Sequence, residues 1–248
     1  LSRGLGDVYK RQPIAITNFF YDSNFEDELK KISVDMNNVM AADLERSGLF
    51  KPIDQNAFIQ KSRSMHIKPR FEDWRLINSQ ALVTGELQIE SDKLRVEFRL
   101  WDTFGEKEIE ALVLITTIEN WRRISHMIAD KIYERLTGES GYFDTRILYV
   151  SESGPKNKRI KKLAIMDQDT YNHRYLTSGK ELVLTPRFNP VKQEITYLSY
   201  FKNLPRVYLL DIQTGIQEVV GDFPGMTFAP RFSPCLLYTS PSPRDNSG

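Results

Sequence analysis

Three histidines and one pair of aspartates are the candidate metal ligands to weigh first in this 248-residue chain. His66, His126 and His173 are far apart in the sequence, and none has the spacing of a metal-ligand motif. His126 lies beside the apolar stripe of a predicted helix, which favours a place at a helix surface or interface. Asp167-Gln168-Asp169 is similar to the start of a calcium loop, but the glycine and the bidentate glutamate are missing at their required offsets. We therefore predict a hairpin turn at these aspartates and no metal site.

Motifs for nucleophilic catalysis and for phosphate binding are also missing from the sequence. There is no G-x-S-x-G elbow, no Walker loop and no G-x-G-x-x-G. The basic run "GPKNKRIKK" (154–162) is more typical of a solvated hairpin tip than of a nucleic-acid site. In "YFKNLPRVYLL" aromatic residues stand beside cations, but strand alternation explains them without stacked bases. We expect no catalytic residue, no cofactor and no nucleic-acid partner.

The composition is that of a soluble protein with one or two packed cores: 40% of the residues are hydrophobic and 27% are charged. The net charge of +1 suggests neither nucleic acid nor an anionic membrane as a partner. No run of about 18 apolar residues could span a bilayer, and no signal peptide is visible at the amino terminus. The single cysteine, Cys235, cannot form an internal disulfide.

The two ends of the chain are similar to translations of one inverted DNA element. One choice of codons for Tyr238–Asp245, reverse-complemented, encodes Ser2–Val8 and the start of Tyr9. We therefore interpret residues 1–12 and 235–248 as non-native, adapter-like segments. Residues 13–234 would then carry 30 basic and 31 acidic residues, a net charge of −1. We expect this segment to be a truncated fragment, with any signal peptide lost upstream.

A first domain is predicted over residues 13–138, with a mixed sheet and helices packed on one face. "PIAITNFF" (13–20) predicts a buried strand, and the apolar spacing over 25–49 predicts a helix. Alternation in Lys93–Asp102 predicts a strand with Leu94, Val96, Phe98 and Leu100 facing inward. The other predicted elements are short helices near Ala57–Ile59 and Trp74–Ile77, strands at Gln80–Glu90 and Ile109–Ile118, and a helix from Asn120 to Leu136.

A second unit is predicted over residues 142–234 from an internal repeat. "TPRFNP" returns as "APRFSP", which places Arg187 and Arg231 44 residues apart, and Asp167 and Asp211 have the same spacing. Several short strands within a period of 40–45 residues are typical of β-propeller blades. A β-sandwich with two similar hairpins is the alternative. The predicted strands are Arg146–Ser151, Ile160–Met166, Glu181–Phe188, Ile195–Phe201, Arg206–Asp211 and Ile216–Val220.

Several stretches resemble the TolB family of the Tol-Pal system of Gram-negative bacteria. They are "MAADLERSGLFKPID", "LTGESGYFDTRILYVSES", "LAIMDQDTYNHRYLTSG", "LVLTPRFNP", "ITYLSY", "RVYLLDIQTG" and "GMTFAPRFSP". The resemblance implies an α/β amino-terminal domain followed by about two blades of a six-bladed propeller. It also implies a periplasmic protein without catalytic activity that binds a Pal-type lipoprotein and the inner-membrane protein TolA. It supports a role in outer-membrane integrity and in constriction during division.

Some features limit what the resemblance carries over. The TolA-binding segment of the family would precede Pro13, and most Pal-facing positions would lie in later blades, so we assign no partner-binding residue. Tyr171 stands where related repeats often have glycine. Two other functions remain open: the amino-terminal part of a propeller-containing serine peptidase, and a nucleic-acid adaptor, which the charge of residues 13–234 disfavours.

Overall fold

The structure is a computed structural model, and it describes residues 11–21, 26–60, 68–201, 204–220, 230–232 and 239–240. The chain divides into two units, Leu1–Asp144 and Thr145–Gly248. No helix within the described ranges is long and apolar enough to cross a lipid bilayer. His66 and Cys235 lie outside the described residues.

The first unit is built on a mixed sheet with the strand order β3-β1-β4-β5-β6, and a short strand, β2, pairs with β4. β1 runs parallel to β3 and β4, whereas β4, β5 and β6 are antiparallel neighbours. The strands are β1 (Gln12–Ile16), β2 (Phe20–Tyr21), β3 (Phe50–Pro52), β4 (Ala81–Glu90), β5 (Lys93–Asp102) and β6 (Lys107–Thr117).

The single strand predicted over 13–20 is wrong, because the chain leaves β1 after Ile16 and re-enters the sheet at Phe20. Two side chains of the following helix donate hydrogen bonds to backbone carbonyls next to this break. Asn37 Nδ2 donates to Ile16 O at 2.6 Å, and Ser33 Oγ donates to Phe19 O at 2.7 Å. These bonds replace ladder bonds that a continuous strand would have made.

The described part of this unit contains three α-helices: α1 (Glu26–Arg46), α2 (Phe71–Leu76) and α3 (Trp121–Thr137). The two long helices lie within about three residues of the predicted bounds. α3 ends at Gly138, which has φ +80° and donates its N–H to Glu134 O, as a left-handed cap requires. The short helix predicted at 57–59 is a 3-10 turn at Gln55–Ala57 instead.

The sheet packs helices on both of its faces, so the prediction of helices on one face is correct only for α1 and α3. The inward residues of β5 (Leu94, Val96, Phe98 and Leu100) are fully buried in the core that includes these two helices. α2 packs on the opposite face, where Phe71 and Trp74 join a second cluster with Ala15, Leu82 and Trp101. Alternation along β1, β4 and β5 supplies residues to both faces, which explains the two clusters.

The second unit consists of antiparallel sheets that follow one another along the chain. The first contains β7 (Arg146–Ser153), β8 (Ile160–Asp167) and β9 (Arg174–Tyr175). The second has the order β10 (Leu182–Phe188), β11 (Glu194–Phe201), β12 (Leu204–Asp211) and β13 (Gln217–Val219). A two-stranded sheet joins β14 (Arg231–Phe232) to β15 (Thr239–Ser240). The six predicted strands are confirmed within about two residues, and β9, β14 and β15 were not predicted.

The 44-residue repeat corresponds to equivalent strands in successive sheets. β8 and β12 have the same length, are displaced by 44 residues and end at Asp167 and Asp211. The two sheets bury apolar residues between them and are also joined by Arg174 Nη2, which donates to Ile212 O at 2.9 Å. β14 begins the next sheet and is displaced by the same 44 residues from the end of β10. The architecture is therefore a row of propeller blades, as predicted, and not a single sandwich.

Candidate interaction site

The turn after each repeated aspartate is held by hydrogen bonds to that residue. Asp211 Oδ1 accepts from the N–H groups of Gln213 and Thr214 at 2.8 and 2.7 Å. These bonds, with the Thr214 N–H first, keep the pKa of the Asp211 carboxyl below its ordinary value. A carboxylate that caps its own turn is a structural group.

The two repeated turns differ where Tyr171 replaces Gly215. Gly215 has φ +74° and closes the second turn. In the first turn, the residues with positive φ are Thr170 and Asn172, and Asp167 N donates to Tyr171 O at 2.9 Å. Asn172 Nδ2 also donates to Asp167 Oδ2 at 2.5 Å. Asparagine tolerates the left-handed region, so the turn closes by another route without glycine.

The basic run 154–162 lies on the hairpin between β7 and β8, as predicted. Six residues (154–159) separate these strands, whereas two residues (202–203) separate the equivalent strands β11 and β12. Residues 152–160 are all exposed. Lys161 Nζ lies 2.6 Å from Glu152 Oε1, and its hydrogen bond is the main cause that lowers the pKa of Glu152. This exposed hairpin therefore carries a cluster of cations on the surface of the second unit.

His126 is buried in the first unit, where it pairs with a carboxylate that the sequence analysis did not single out. His126 Nδ1 on α3 lies 2.5 Å from Asp43 Oδ2 on α1, and the two side chains are 3% and 0% exposed. The predicted place at a helix interface is therefore confirmed. Asp43 falls three residues after Met40 on the apolar face of α1, and a polar residue at such a position is the signal that could have revealed it.

Asp130, one turn after His126, holds the segment that leads out of the first unit. Its carboxylate accepts from Phe143 N at 2.6 Å and from Asp144 N at 3.0 Å. Burial is the main cause that raises the pKa of Asp130, and the two N–H bonds oppose that shift. Arg123 fixes the same segment from outside through both carboxylate oxygens of Asp144, at 3.1 and 3.2 Å.

His173 precedes β9 in the second unit and lies among aromatic rings. Its ring centroid is 5.0 Å from that of Tyr175 and 6.2 Å from that of Tyr149. Lys162 Nζ lies 4.7 Å from the Tyr175 ring centroid. These contacts are packing and cation–π interactions.

The fold and these surfaces define a class of protein: an α/β domain followed by antiparallel propeller blades that present hairpin loops. Family comparisons agree with both parts. The model described as the TolB amino-terminal domain matches residues 6–109, and the model described as the TolB beta propeller domain matches residues 133–236. Together these matches include residues from both structural units.

Individual relatives extend the same result along the chain. The Tol-Pal system protein TolB of Pelagibacter ubique (strain HTCC1062) is 61% identical over 223 residues, covering 88% of this chain and 50% of that protein. The protein of the same name from Paramagnetospirillum magneticum (strain ATCC 700264 / AMB-1) is 57% identical over 220 residues, covering 88% of this chain and 48% of the relative. The crystal structure of TolB from Acinetobacter baumannii has a TM-score of 0.74 and 28% identity, over 91% of this chain and 53% of that one.

The chain belongs to the TolB family, and it contains the amino-terminal domain and the first propeller blades. It spans about half the length of the curated relatives it matches.

Proposed function

We propose that the protein is a non-enzymatic, periplasmic interaction protein of the Tol-Pal envelope system. In this role it links a Pal-type lipoprotein to the inner-membrane protein TolA, and it supports outer-membrane integrity and constriction during division. The observation that carries the proposal is the 61% identity, extending over 88% of the chain, to a protein named for the Tol-Pal system.

The described surfaces support a binding role more than a chemical one. The buried Asp43–His126 pair joins two helices, and Asp130 is occupied by two backbone N–H groups. Asp211 caps its own turn. Each of these polar groups thus has a structural partner, while the blades present rigid strands and hairpins on which a protein partner could dock.

Binding to a Pal-type lipoprotein tests the proposal. A full-length TolB family protein that carries this segment is compared with the 248-residue chain by isothermal titration calorimetry against the soluble domain of the lipoprotein. We expect the full-length protein to bind and the chain to bind weakly or not at all, because we expect most Pal-facing positions to lie in later blades. Absence of binding by the full-length protein would contradict the proposed function, and equal binding by both would contradict the expected location of the site.

A further inference from the structure

The turn of the β7–β8 hairpin is long, and its backbone conformation is also well defined. Gly154 has φ +87°, and a Cβ at this position would lie 2.8 Å from Lys158 O. Lys158 N donates to Pro155 O at 2.9 Å, and proline restricts the backbone at the start of the turn. Because a backbone hydrogen bond closes the turn at the tip, the cations that follow Pro155 lie on a loop of defined conformation.

The charge of this hairpin is unbalanced. Between Leu148 and Met166 the sequence contains five cations and one acidic residue, in a chain with a net charge of only +1. Lys161 is paired with Glu152, and Lys162 lies over the Tyr175 ring. The remaining three are Lys156, Lys158 and Arg159. They are exposed, and none of them has a carboxylate within ion-pair distance among the residues that the structure describes, although Arg159 also acts on Glu152 at longer range. A tip with three such cations is complementary to an anionic partner.

The chemistry around the cations favours one class of partner. No aromatic residue occurs between Ser151 and Lys162, so the tip offers no platform for stacked bases. Ile160 is the only large exposed apolar side chain in the same stretch, and three cations without a second apolar anchor bind membranes weakly. Carboxylates on a protein segment can pair with these cations without base stacking and without insertion into a membrane. A rigid hairpin can therefore bind them through its exposed cations.

We propose that the hairpin tip 154–159 binds an acidic segment of a protein partner and accelerates its association. Charges at the rim of an interface act mainly on the association rate and on its salt dependence. The partner's identity as a Tol-Pal protein rests on the proposed function, whereas the acidic chemistry rests on the hairpin itself.

A labelled peptide of six glutamates tests the chemistry on the 248-residue chain. Its binding is followed by fluorescence anisotropy at about 20 mM salt for three proteins: the parent, the hairpin variant Lys156→Gln/Lys158→Gln/Arg159→Gln, and a control variant. The control, Lys30→Gln/Lys31→Gln/Lys51→Gln, removes three exposed cations from the first unit. We expect the hairpin variant to bind about tenfold more weakly than the parent and the control to bind like the parent. Equal weakening in both variants overturns the proposal. The proposal is also overturned if the hairpin variant still binds the peptide but no longer binds phosphatidylglycerol vesicles or single-stranded RNA.

A kinetic measurement separates this inference from the proposed function. The same substitutions are placed in the full-length protein, and association with the soluble Pal-type domain is followed by surface plasmon resonance at several salt concentrations. We expect an association rate lower by about tenfold at low salt, a flatter salt dependence and a nearly unchanged dissociation rate. If all three proteins bind the domain with identical rates, the proposed role of the hairpin in association is overturned. The proposed function is then unaffected. Absence of binding by the parent contradicts the proposed function, and the peptide measurement then decides the hairpin's chemistry alone.

Discussion

Asp43 and His126 form a buried pair that joins α1 to α3; Oδ2 and Nδ1 are 2.5 Å apart, and the two residues are separated by 83 positions in the sequence. Arg46 Nη2 also lies 3.2 Å from Asp43 Oδ1, so the carboxylate is placed between a buried imidazole and a partly exposed guanidinium. The pair fixes the relative position of two helices that share one hydrophobic core.

Asp43→Ala should lower the free energy of unfolding by about 3 kcal/mol, because it removes one partner of a buried polar pair. Asp43→Ala/His126→Ala should cost clearly less than the sum of the two single substitutions. Urea unfolding followed by tryptophan fluorescence reports on this unit, since Trp74, Trp101 and Trp121 are the chain's three tryptophans. Glu28→Ala, at an exposed position of α1, is the control and should change stability by less than about 0.5 kcal/mol. Strict additivity would show that the two side chains do not interact.

Asp130 should make stability depend on pH in a defined direction. Its pKa is raised above 3.8 in the folded state, so the folded protein binds the proton more tightly than the unfolded chain does. The resulting stabilisation is fully present below about pH 4 and is lost as the pH rises through the raised pKa. The parent should therefore lose stability relative to Asp130→Asn over this range, as measured by urea unfolding at several pH values. If the stability difference between the parent and Asp130→Asn does not change with pH, the raised pKa of Asp130 is refuted. Asp27→Asn, at an exposed position, is the control.

Gly85 is required by the ring of Phe19, not by its backbone conformation. A Cβ at Gly85 would lie 2.4 Å from Phe19 Cδ2, so Gly85→Ala should cost about 1–3 kcal/mol through overpacking. Phe19→Leu should reduce that cost when the two changes are combined. Gly48→Ala is the matched control: nothing lies within 4 Å of its Cβ, and its cost arises from φ +78°. That cost should be the same with or without Phe19→Leu in tryptophan-detected unfolding.

Gly215→Ala should destabilise the second blade by about 1 kcal/mol, because only the positive φ opposes the new Cβ. Amide hydrogen exchange of β12 and β13 should accelerate about fivefold if these amides exchange by local opening of the blade. Gln213→Ala changes an exposed neighbour in the same turn and should leave exchange unchanged. Equal protection in Gly215→Ala and the parent would mean that the turn closes without glycine, as it does at Tyr171.

Limited trypsin digestion should cut the hairpin 154–159 first and leave residues 13–138 resistant. The hairpin is exposed and contains Lys156, Lys158 and Arg159, whereas the first unit encloses a large continuous core. We also expect residues 142–234 to be the less stable part, since β7 has no second strand partner among the residues described. Mass spectrometry of the early fragments checks this order. A resistant core that covers 142–234 would show that the expectation is wrong.

The sequence by itself determined the features that depend on neighbours along the chain. Alternation in β5 and helical spacing in α1 and α3 predicted those elements within a few residues, because a strand or helix repeats its buried positions at a fixed period. The spacing between Asp167 and Asp211 likewise predicted equivalent blades, because each aspartate ends the equivalent strand of its blade.

Only the tertiary structure decided which distant groups meet. The break after Ile16, the place of α2 on the second face, and the partners of Asp43 and Asp130 all depend on side chains from remote segments. No local period encodes such contacts, since they form when packing brings a polar group to a site where water cannot satisfy it and a remote donor or acceptor must.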